Sequence, residues 1–272
     1  MTHSRPTIHR LLEEHGLSAR RELGQNFVAD PNTVRRIAEL ARVGPDHLVV
    51  EIGPGLGSLT LALVETGARV VAIEVDAGLA AAAQKVLGDR ATVIEADAQK
   101  VDWADIIGAH AGPVSVVANL PYNIGTTLVI DILTSVPRVR ELVVLVQAEV
   151  AERLVAHVGS KAYGIPSVLV AAEAAASIVA HVPPSVFVPR PKVDSALVRL
   201  TRHPEPVIDV DHDDLARVVK VAFGQRRKML RRSLKPLIDE AGLESANIDP
   251  THRAEDVDLD GWARIAAVVG DQ

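Results

Sequence analysis

The sequence predicts an α/β fold, with a doubly wound parallel sheet followed by a small C-terminal helical domain. Two observations support this prediction. Short apolar runs rich in Val and Ile alternate with helix-compatible segments, as is typical of parallel strands that are buried on both faces. After about residue 205 this alternation stops, and only short helical segments follow. We therefore expect two domains, formed by residues 1–204 and residues 205–272.

Four strand-like runs follow one another at regular intervals in the first domain. They are HLVVEIG (47–53), ARVVAIEVD (68–76), RATVIEAD (90–97) and PVSVVAN (113–119). The intervening segments SLTLALVETG and AGLAAAAQKVLGDR predict helices. A further strand and helix are expected in ELVVLVQAEVAERLVAHV. Two closing strands are expected in SIVAHV and DSALVRL, joined by the Pro-rich loop VPPSVFVPRPKVDS (182–195).

The C-terminal domain is expected to be helical from Asp211 onward. Short helices are predicted in DDLARVVKVAFGQ, RRKMLRRSLKPLIDEAG, SANI and DLDGWARIAAVVG. The sequence shows no internal repeat and no low-complexity tract that would indicate another architecture.

Composition excludes several classes of function. The 272 residues include no cysteine, which rules out disulfides, thiolate nucleophiles and Cys-based zinc sites. The ten histidines are scattered without supporting carboxylates, so we expect no metal. No signal peptide or membrane-length apolar run is present, so we expect a cytoplasmic protein without a membrane partner. The net charge of −6 argues against a uniformly basic nucleic-acid binder but leaves local basic patches open.

Four residues lie at or near the ends of the four strand-like runs, one strand–helix unit apart. They are Gly53, Glu74, Asp97 and Asn119, separated by 21, 23 and 22 positions. Equivalent ends of parallel strands lie along one edge of a sheet, and open α/β sheets bind ligands in the crevice outside those carboxyl ends. The sequence therefore predicts that a glycine loop, two carboxylates and an amide line one crevice.

The glycine loop EIGPGLGSLT favours a nucleoside ligand without a pyrophosphate. Gly53, Gly55 and Gly57 permit a close backbone approach to a ligand, but their spacing departs from the dinucleotide pattern. Glu74 is placed to accept hydrogen bonds from both hydroxyls of a ribose, and Asp97 to accept one from the amine of an adenine. S-adenosylmethionine is therefore the expected cofactor, and a nicotinamide dehydrogenase is disfavoured.

The tetrapeptide Asn119-Leu120-Pro121-Tyr122 predicts a grip on a planar aromatic amine. The Asn119 oxygen and a backbone carbonyl of Leu120 or Pro121 would accept the two N–H bonds of that amine. These acceptors would free the nitrogen lone pair for attack on a methyl group, while Pro121 keeps the turn rigid. We expect Tyr122 to stack on the base through its ring face, and we assign no role to its hydroxyl.

An ordered set of motifs, spread over most of the chain, resembles the ribosomal RNA adenine N6-dimethyltransferase family. The motifs are LGQNFVAD (23–30), EIGPGLGSLT, AIEVD, EADA, NLPYNI, VQAEVAERL, GSKAYGIPSV, PSVFVPRPKVDSALVRL and FGQRRKMLRRSL. The resemblance implies a Rossmann-like, S-adenosylmethionine-dependent methyltransferase. Its expected activity is N6-dimethylation of adenines in small-subunit (16S) ribosomal RNA during ribosome assembly.

The resemblance also implies roles for individual residues. Asn26 and Val28 would form part of a lid over the cofactor, and Gly53 would contact its methionine end. Phe187 would be a second aromatic residue that covers the target base. The chain departs from the family pattern in two places: Val28 stands where Leu is usual, and Gly125 where Ser is usual. A backbone contact at position 28 would survive the first change.

A basic segment in the C-terminal domain predicts RNA binding. No acidic residue interrupts the cations between Leu215 and Ile238, whereas a solvated helix face usually mixes both signs. We expect phosphate contacts from Arg226, Arg227, Lys228, Arg231 and Arg232. The expected partner is small-subunit ribosomal RNA or the assembling 30S subunit, bound by a monomer.

Two alternative functions stay open. One is a large-subunit rRNA adenine methyltransferase of the antibiotic-resistance type; the PSVFVPRPKVDSALVRL and FGQRRKMLRRSL blocks favour the small-subunit enzyme by resemblance. The other is a noncatalytic RNA-binding assembly factor on the same fold. The complete set of predicted crevice residues, with Asn119 and Tyr122 among them, argues against this second alternative.

Overall fold

The computed structural model describes residues 2–20, 23–122 and 124–270 and forms two compact units. The first unit contains Met1–Ala151 and Ser177–Thr201, and the second contains Glu152–Ala176 and Arg202–Gln272. This division differs from a single boundary after residue 204, because residues 152–176 pack with the C-terminal part. Glu173 illustrates the reason, since its carboxylate lies 2.7 Å from Arg202 Nη1 and 2.8 Å from His212 Nε2.

A seven-stranded sheet has the order β4-β3-β2-β5-β6-β9-β7. Its strands are β2 (Leu48–Ile52), β3 (Arg69–Glu74), β4 (Thr92–Glu95), β5 (Val114–Asn119), β6 (Val139–Gln147), β7 (Ala174–Val182) and β9 (Ser195–Arg202). Strand β2 pairs in parallel with β3 and β5, and the β3–β4 and β5–β6 pairs are also parallel. Strand β9 adds to β6 in the antiparallel direction. The predicted parallel sheet and its two closing strands are confirmed.

The helices of the first unit follow the predicted alternation with the strands. They are α1 (Arg5–Glu14), α2 (Pro31–Ala41), α3 (Ser58–Glu65), α4 (Ala77–Leu87), α5 (Trp103–Ile107) and α6 (Gly125–Ser135), and α7 (Ala148–Leu154) follows them. Helix α4 begins at Asp76, whose carboxylate accepts the N–H groups of Gly78 and Leu79 at 2.9 and 3.1 Å. Asp76 thus caps a helix, as an acidic residue at this position commonly does.

One pair of short strands was not predicted from the sequence. Strand β1 (Phe27–Val28) pairs antiparallel with β8 (Phe187–Val188), and a single helical turn at Pro184–Val186 precedes β8. The segment 182–195, expected to be a loop throughout, therefore contains ordered structure. Two-residue strands have no measurable periodicity, so no local pattern indicates them.

The helices of the second unit are α8 (Ile165–Glu173), α9 (His212–Phe223), α10 (Leu230–Ser233), α11 (Glu240–Ser245) and α12 (Leu259–Gly270). The second unit has helices where DDLARVVKVAFGQ and DLDGWARIAAVVG predicted them, but the helix predicted in SANI is absent, because α11 ends at Ser245 and Asn247 has a φ angle of +55°. One basic segment is also less helical than predicted. The segment RRKMLRRSLKPLIDEAG is not one helix, because Met229 is extended and bridges to Arg253, and Pro236 lacks the N–H that a helix needs. Within the described ranges, no helix is both long and apolar enough to cross a membrane.

Candidate active site

A crevice opens at the carboxyl ends of the parallel strands, where β2 has β3 on one side and β5 on the other. Such a point, at which the strand order reverses, is the usual ligand site of an open α/β sheet. All seven residues expected to contact a cofactor line this crevice: Asn26, Val28, Gly53, Gly55, Glu74, Asp97 and Asn119. The predicted meeting of the four strand ends is confirmed, while their binding roles stay predictions.

The backbone of the glycine loop after β2 adopts conformations that residues with a side chain rarely adopt. Gly53 and Gly55 have φ angles of +69° and +56°, in the left-handed region that favours glycine. The Gly53 N–H donates to the Ile73 carbonyl at 2.9 Å, which ties the loop to β3. The loop is therefore held in a fixed position, with half-buried Gly53 at the crevice.

Glu74 ends β3 as a buried carboxylate held by two backbone groups. Its side chain accepts the Gly55 N–H at 3.1 Å and the Asp76 N–H at 3.0 Å, and the residue is only 5% exposed. Burial raises the pKa of Glu74, and the two N–H donors act in the opposite direction. Each carboxylate oxygen accepts more than one hydrogen bond, so capacity for two ribose hydroxyls remains.

Asp97 lies just beyond the end of β4 (Thr92–Glu95) and is more open than Glu74. One carboxylate oxygen accepts the Gln99 N–H at 3.0 Å, and the other lies 3.2 Å from the Lys100 ammonium. The side chain is 32% exposed. Asp97 therefore presents an accessible acceptor at the crevice, at the position expected for an adenine amine.

The side chain of Asn119 is oriented by the segment that precedes β1. Its Nδ2 donates to the Asn26 carbonyl at 2.7 Å, and the Asn26 side chain donates in turn to the Gly24 carbonyl at 3.0 Å. With its nitrogen fixed in this way, the Asn119 amide presents its oxygen as an acceptor. One hydrogen bond thus connects Asn119, the predicted acceptor, to Asn26, a predicted lid residue.

The structure distinguishes the two backbone carbonyls that the sequence left open. The Pro121 carbonyl accepts the N–H groups of Ile124 and Gly125 at the start of α6. The Leu120 N–H donates to the Leu145 carbonyl at 3.0 Å, which fixes the Leu120 backbone, and no described residue donates to its carbonyl. The Leu120 carbonyl is therefore the one of the two without a described donor, although Pro121 and not Leu120 lines the crevice. The next residue of the motif, Asn123, lies outside the described residues.

Tyr122 is half-buried, and its hydroxyl has a partner that sequence reasoning missed. The Tyr122 hydroxyl lies 3.0 Å from the hydroxyl of Ser195, the first residue of β9, which is 0% exposed. Burial raises the pKa of Tyr122, so the phenol stays protonated. The two residues are far apart in the sequence, and no local pattern links them.

Phe187 does not line the crevice. It belongs to β8, its side chain is 0% exposed, and it lies in the hydrophobic core of the first unit with Val28 and Val34. Its backbone pairs with Val28. In this arrangement Phe187 supports β1 from within the core. Stacking on a base stays a prediction, and it would require the ring to leave that core.

Glu51 is a crevice residue that the sequence analysis did not single out. It is 1% exposed in the centre of β2, and no described residue hydrogen-bonds to its Oε2 atom. Burial raises the pKa of Glu51 to about 8, and the nearby charge of Glu74 acts in the same direction. The lone acid within the apolar run LVVEI was a signal that could have revealed it.

The N-terminal segment covers the glycine loop. His3 Nε2 lies 2.9 Å from the Leu56 carbonyl, and the His3 N–H donates to the Ser58 hydroxyl at 2.9 Å. Ile8, Leu11 and Leu12 of α1 are buried in a hydrophobic cluster with Leu56, Leu79, Ala82 and Val188. Residues that precede the LGQNFVAD motif thus also pack on the glycine loop.

In the second unit, the five predicted RNA contacts fall into two groups. Arg226 lies 2.9 Å from Glu255 and donates to the Lys161 carbonyl, and Arg231 lies 3.6 Å from Glu240. Arg227, Lys228 and Arg232 are exposed and form no ion pair with any described residue. The second group is therefore better placed to meet phosphates. Among residues 2–20, 23–122 and 124–270, no three metal-ligating side chains come together.

Comparison with known proteins gives consistent matches over most of the chain. The model of the family described as Ribosomal RNA adenine dimethylase matches residues 16–271. The chain is 44% identical over 275 residues to the ribosomal RNA small subunit methyltransferase A of Rhodococcus opacus, which covers 96% of this chain and 92% of that protein.

Solved structures of similar fold include two enzymes. The 23S rRNA methyltransferase ErmE is 27% identical with a TM-score of 0.67, covering 90% of this chain and 100% of that chain. A dimethyladenosine transferase from Plasmodium falciparum is 23% identical with a TM-score of 0.71, covering 87% and 94%. The similarity to the Plasmodium falciparum enzyme concerns the fold alone. Both solved structures agree with the α/β architecture of this chain.

Proposed function

The chain belongs to the ribosomal RNA adenine dimethylase family, and from that premise we propose that it uses S-adenosylmethionine to dimethylate N6 of adenines in small-subunit (16S) ribosomal RNA. The observation that carries this proposal is the pair of acceptors at the end of β5. Asn119 lines the crevice, with its side chain oriented by the Asn26 carbonyl at 2.7 Å, and the adjacent Leu120 carbonyl receives no N–H from any described residue.

The crevice residues fit S-adenosylmethionine. A Cβ atom at Gly53 would meet nothing closer than 4.0 Å, so a ligand has room against the backbone there, and Glu74 retains acceptor capacity for ribose hydroxyls. Asp97 offers an exposed acceptor for an adenine amine. Bound S-adenosylmethionine would supply an electrophilic sulfonium methyl group.

Three residues would prepare the target base for transfer. The Asn119 oxygen and the Leu120 carbonyl accept the two N–H bonds of the adenine amine, which draws its lone pair out of conjugation with the ring. Tyr122 stacks on the base and fixes its plane, a contact worth about 1–3 kcal/mol. Catalysis then consists of orientation and preorganised acceptors, and the product amine loses its proton to solvent.

The identity values support a small-subunit substrate. The chain is 44% identical to a small-subunit methyltransferase and 27% identical to the 23S methyltransferase ErmE. We therefore propose the assembling 30S subunit as partner, a monomer as the active form, and the cytoplasm as the location, with no metal. The unpaired cations Arg227, Lys228 and Arg232 would contact RNA phosphates.

The deciding experiment is transfer of labelled methyl groups from S-adenosylmethionine to undermodified small subunits, with the labelled nucleotides mapped. Large-subunit RNA and fully modified small subunits are the controls. We expect two methyl groups per target adenine on small subunits only. Transfer to large-subunit RNA would favour the antibiotic-resistance type, and RNA binding without any transfer would favour a noncatalytic assembly factor.

A further inference from the structure

We propose that Ser195 is a positioning residue for Tyr122, holding the tip of its ring where the ring can stack on the target base. This role goes beyond the proposed function and rests on it. The Ser195 Oγ atom lies 3.0 Å from the Tyr122 hydroxyl, so the ring is held at its tip as well as at its backbone.

Ser195 has the rigidity that such a role requires. It is 0% exposed and is the first residue of β9, where it pairs with Gln147 of β6. The carbonyl of the preceding residue, Asp194, accepts the Ala148 N–H at 2.9 Å. The serine hydroxyl is therefore fixed from both the strand and the turn before it.

The same strand, β6, also fixes the backbone that leads to Tyr122. Asn119 of β5 pairs with Leu145 of β6, and the Leu120 N–H donates to the Leu145 carbonyl. Strand β6 thus stands between β5 and β9, and it sets the distance between Tyr122 and Ser195. The Tyr122–Ser195 hydrogen bond therefore connects the chain after β5 to the start of β9, the two strands that flank β6.

The Tyr122–Ser195 hydrogen bond restricts the movement of the tyrosine ring. Tyr122 is half-buried, and a tyrosine anchored only at its Cα atom can swing the tip of its ring by changing χ1. The phenol oxygen lies on the long axis of the ring, so a hydrogen bond there fixes the direction of that axis without covering either ring face. Neither Tyr122 nor Ser195 lines the cofactor crevice as the structure describes it, so the bond should act on the base and not on cofactor binding.

A double-mutant cycle tests this role with the full chain and undermodified small subunits. The proteins are the parent, Ser195→Ala, Tyr122→Phe and the double variant. We expect each single change to lower kcat about 3- to 10-fold, as for loss of one hydrogen bond. The double variant should show the same loss and not the product of the two, because both changes break one bond. KM and the affinity for S-adenosylmethionine should change less than twofold, because the bond acts on the orientation of the base and not on cofactor binding.

Ser115→Ala is the matched control, since Ser115 is another serine buried in the sheet, at 4% exposure in β5. It should leave kcat unchanged, and thermal unfolding should show all variants folded. Multiplicative losses in the double variant, or full kcat in both single variants, would overturn the positioning role alone. A parent protein that binds cofactor and transfers no methyl group would overturn the proposed function together with it.

Discussion

The backbone at Gly55 lies so close to the ring of Phe27 that a Cβ atom at position 55 would stand 2.7 Å from Phe27 Cε1. Carbon atoms do not approach this closely without displacement. Phe27 belongs to β1, whose backbone is paired with β8, so a Cβ atom at position 55 would require the Phe27 ring to rotate or the glycine loop to shift. The glycine loop and β1 fit together only because residue 55 has no side chain.

Gly55→Ala should therefore weaken S-adenosylmethionine binding by about tenfold or more, since the loop must shift out of position. Gly88→Ala is the matched control: Gly88 has a similar φ of +58°, and a Cβ there meets nothing within 4 Å. That control should cost only backbone strain, about 1–3 kcal/mol of stability, because its φ of +58° and ψ of −134° are disfavoured for a residue with a Cβ atom. Calorimetric titration and thermal unfolding of both variants give the comparison. Equal cofactor affinity in the two would contradict a role for the close approach.

Glu74→Ala should lower the affinity for S-adenosylmethionine by about 1–3 kcal/mol, as expected for loss of a charged acceptor. Glu95→Ala is the control, because Glu95 is the exposed partner of Glu74 on the neighbouring strand. Isothermal calorimetry measures both. If the two variants bind the cofactor equally well, Glu74 does not contact it.

Asn119→Ala should reduce methyl transfer on the order of 100-fold, by analogy with removal of one preorganised polar group. The affinity for RNA should fall much less, because most RNA affinity comes from phosphate contacts. Single-turnover transfer and RNA binding are measured side by side, with the exposed Asn32→Ala as reference. Transfer within a few-fold of the parent would remove Asn119 from the acceptor role.

Glu51 should make folding stability depend on pH. Its pKa is raised from 4.5 to about 8 in the folded protein, so the native state retains a proton that the unfolded chain has lost. The unfolding free energy of the parent should therefore fall as pH rises through this range, by up to about 1.4 kcal/mol per pH unit.

Glu51→Gln removes this contribution, since an amide does not titrate. The stability of the variant relative to the parent should increase from about pH 5 to about pH 8 and then level off. Glu74 titrates in both proteins and largely cancels in the comparison. Denaturant unfolding across this pH range measures the difference. A constant difference would mean that the Glu51 carboxyl titrates normally.

Replacing Arg227, Lys228 and Arg232 with Ala should weaken RNA binding for every sequence tested. The slope of log affinity against log salt should shrink by roughly one unit per lost phosphate contact. A control variant removes the same charge from exposed cations of the first unit, Arg35, Arg36 and Lys85. Equal slopes in the two variants would show that RNA binding depends on the net charge of the protein and not on Arg227, Lys228 and Arg232 in particular.

The crevice could be predicted from the sequence because strands and helices alternate at regular intervals along the chain. Strand and helix alternate regularly, so Gly53, Glu74, Asp97 and Asn119 had to meet at one edge of the sheet, and they do. These predictions needed only local patterns and the rule for parallel strands. Motif resemblance then supplied the lid residues Asn26 and Val28, which line the same crevice.

Features that depend on distant pairs could not be predicted in this way. The Tyr122–Ser195 bond and the burial of Phe187 arise from the packing of β6, β8 and β9, which no short stretch encodes. The break in the predicted helix RRKMLRRSLKPLIDEAG was also missed, because Met229 bridges to Arg253, which is remote in the chain.

The pairing of β1 with β8 determines when a newly made chain can complete its crevice. Phe27 is synthesised early, whereas Phe187 and Val188 emerge only after most of the sheet has been translated. Closing so long a loop is entropically costly, and pairing between remote segments is slow. Until β8 has left the ribosome, β1 has no strand to hold Phe27 against Gly55. Each nascent molecule therefore becomes competent to bind its ligand only late in its own translation.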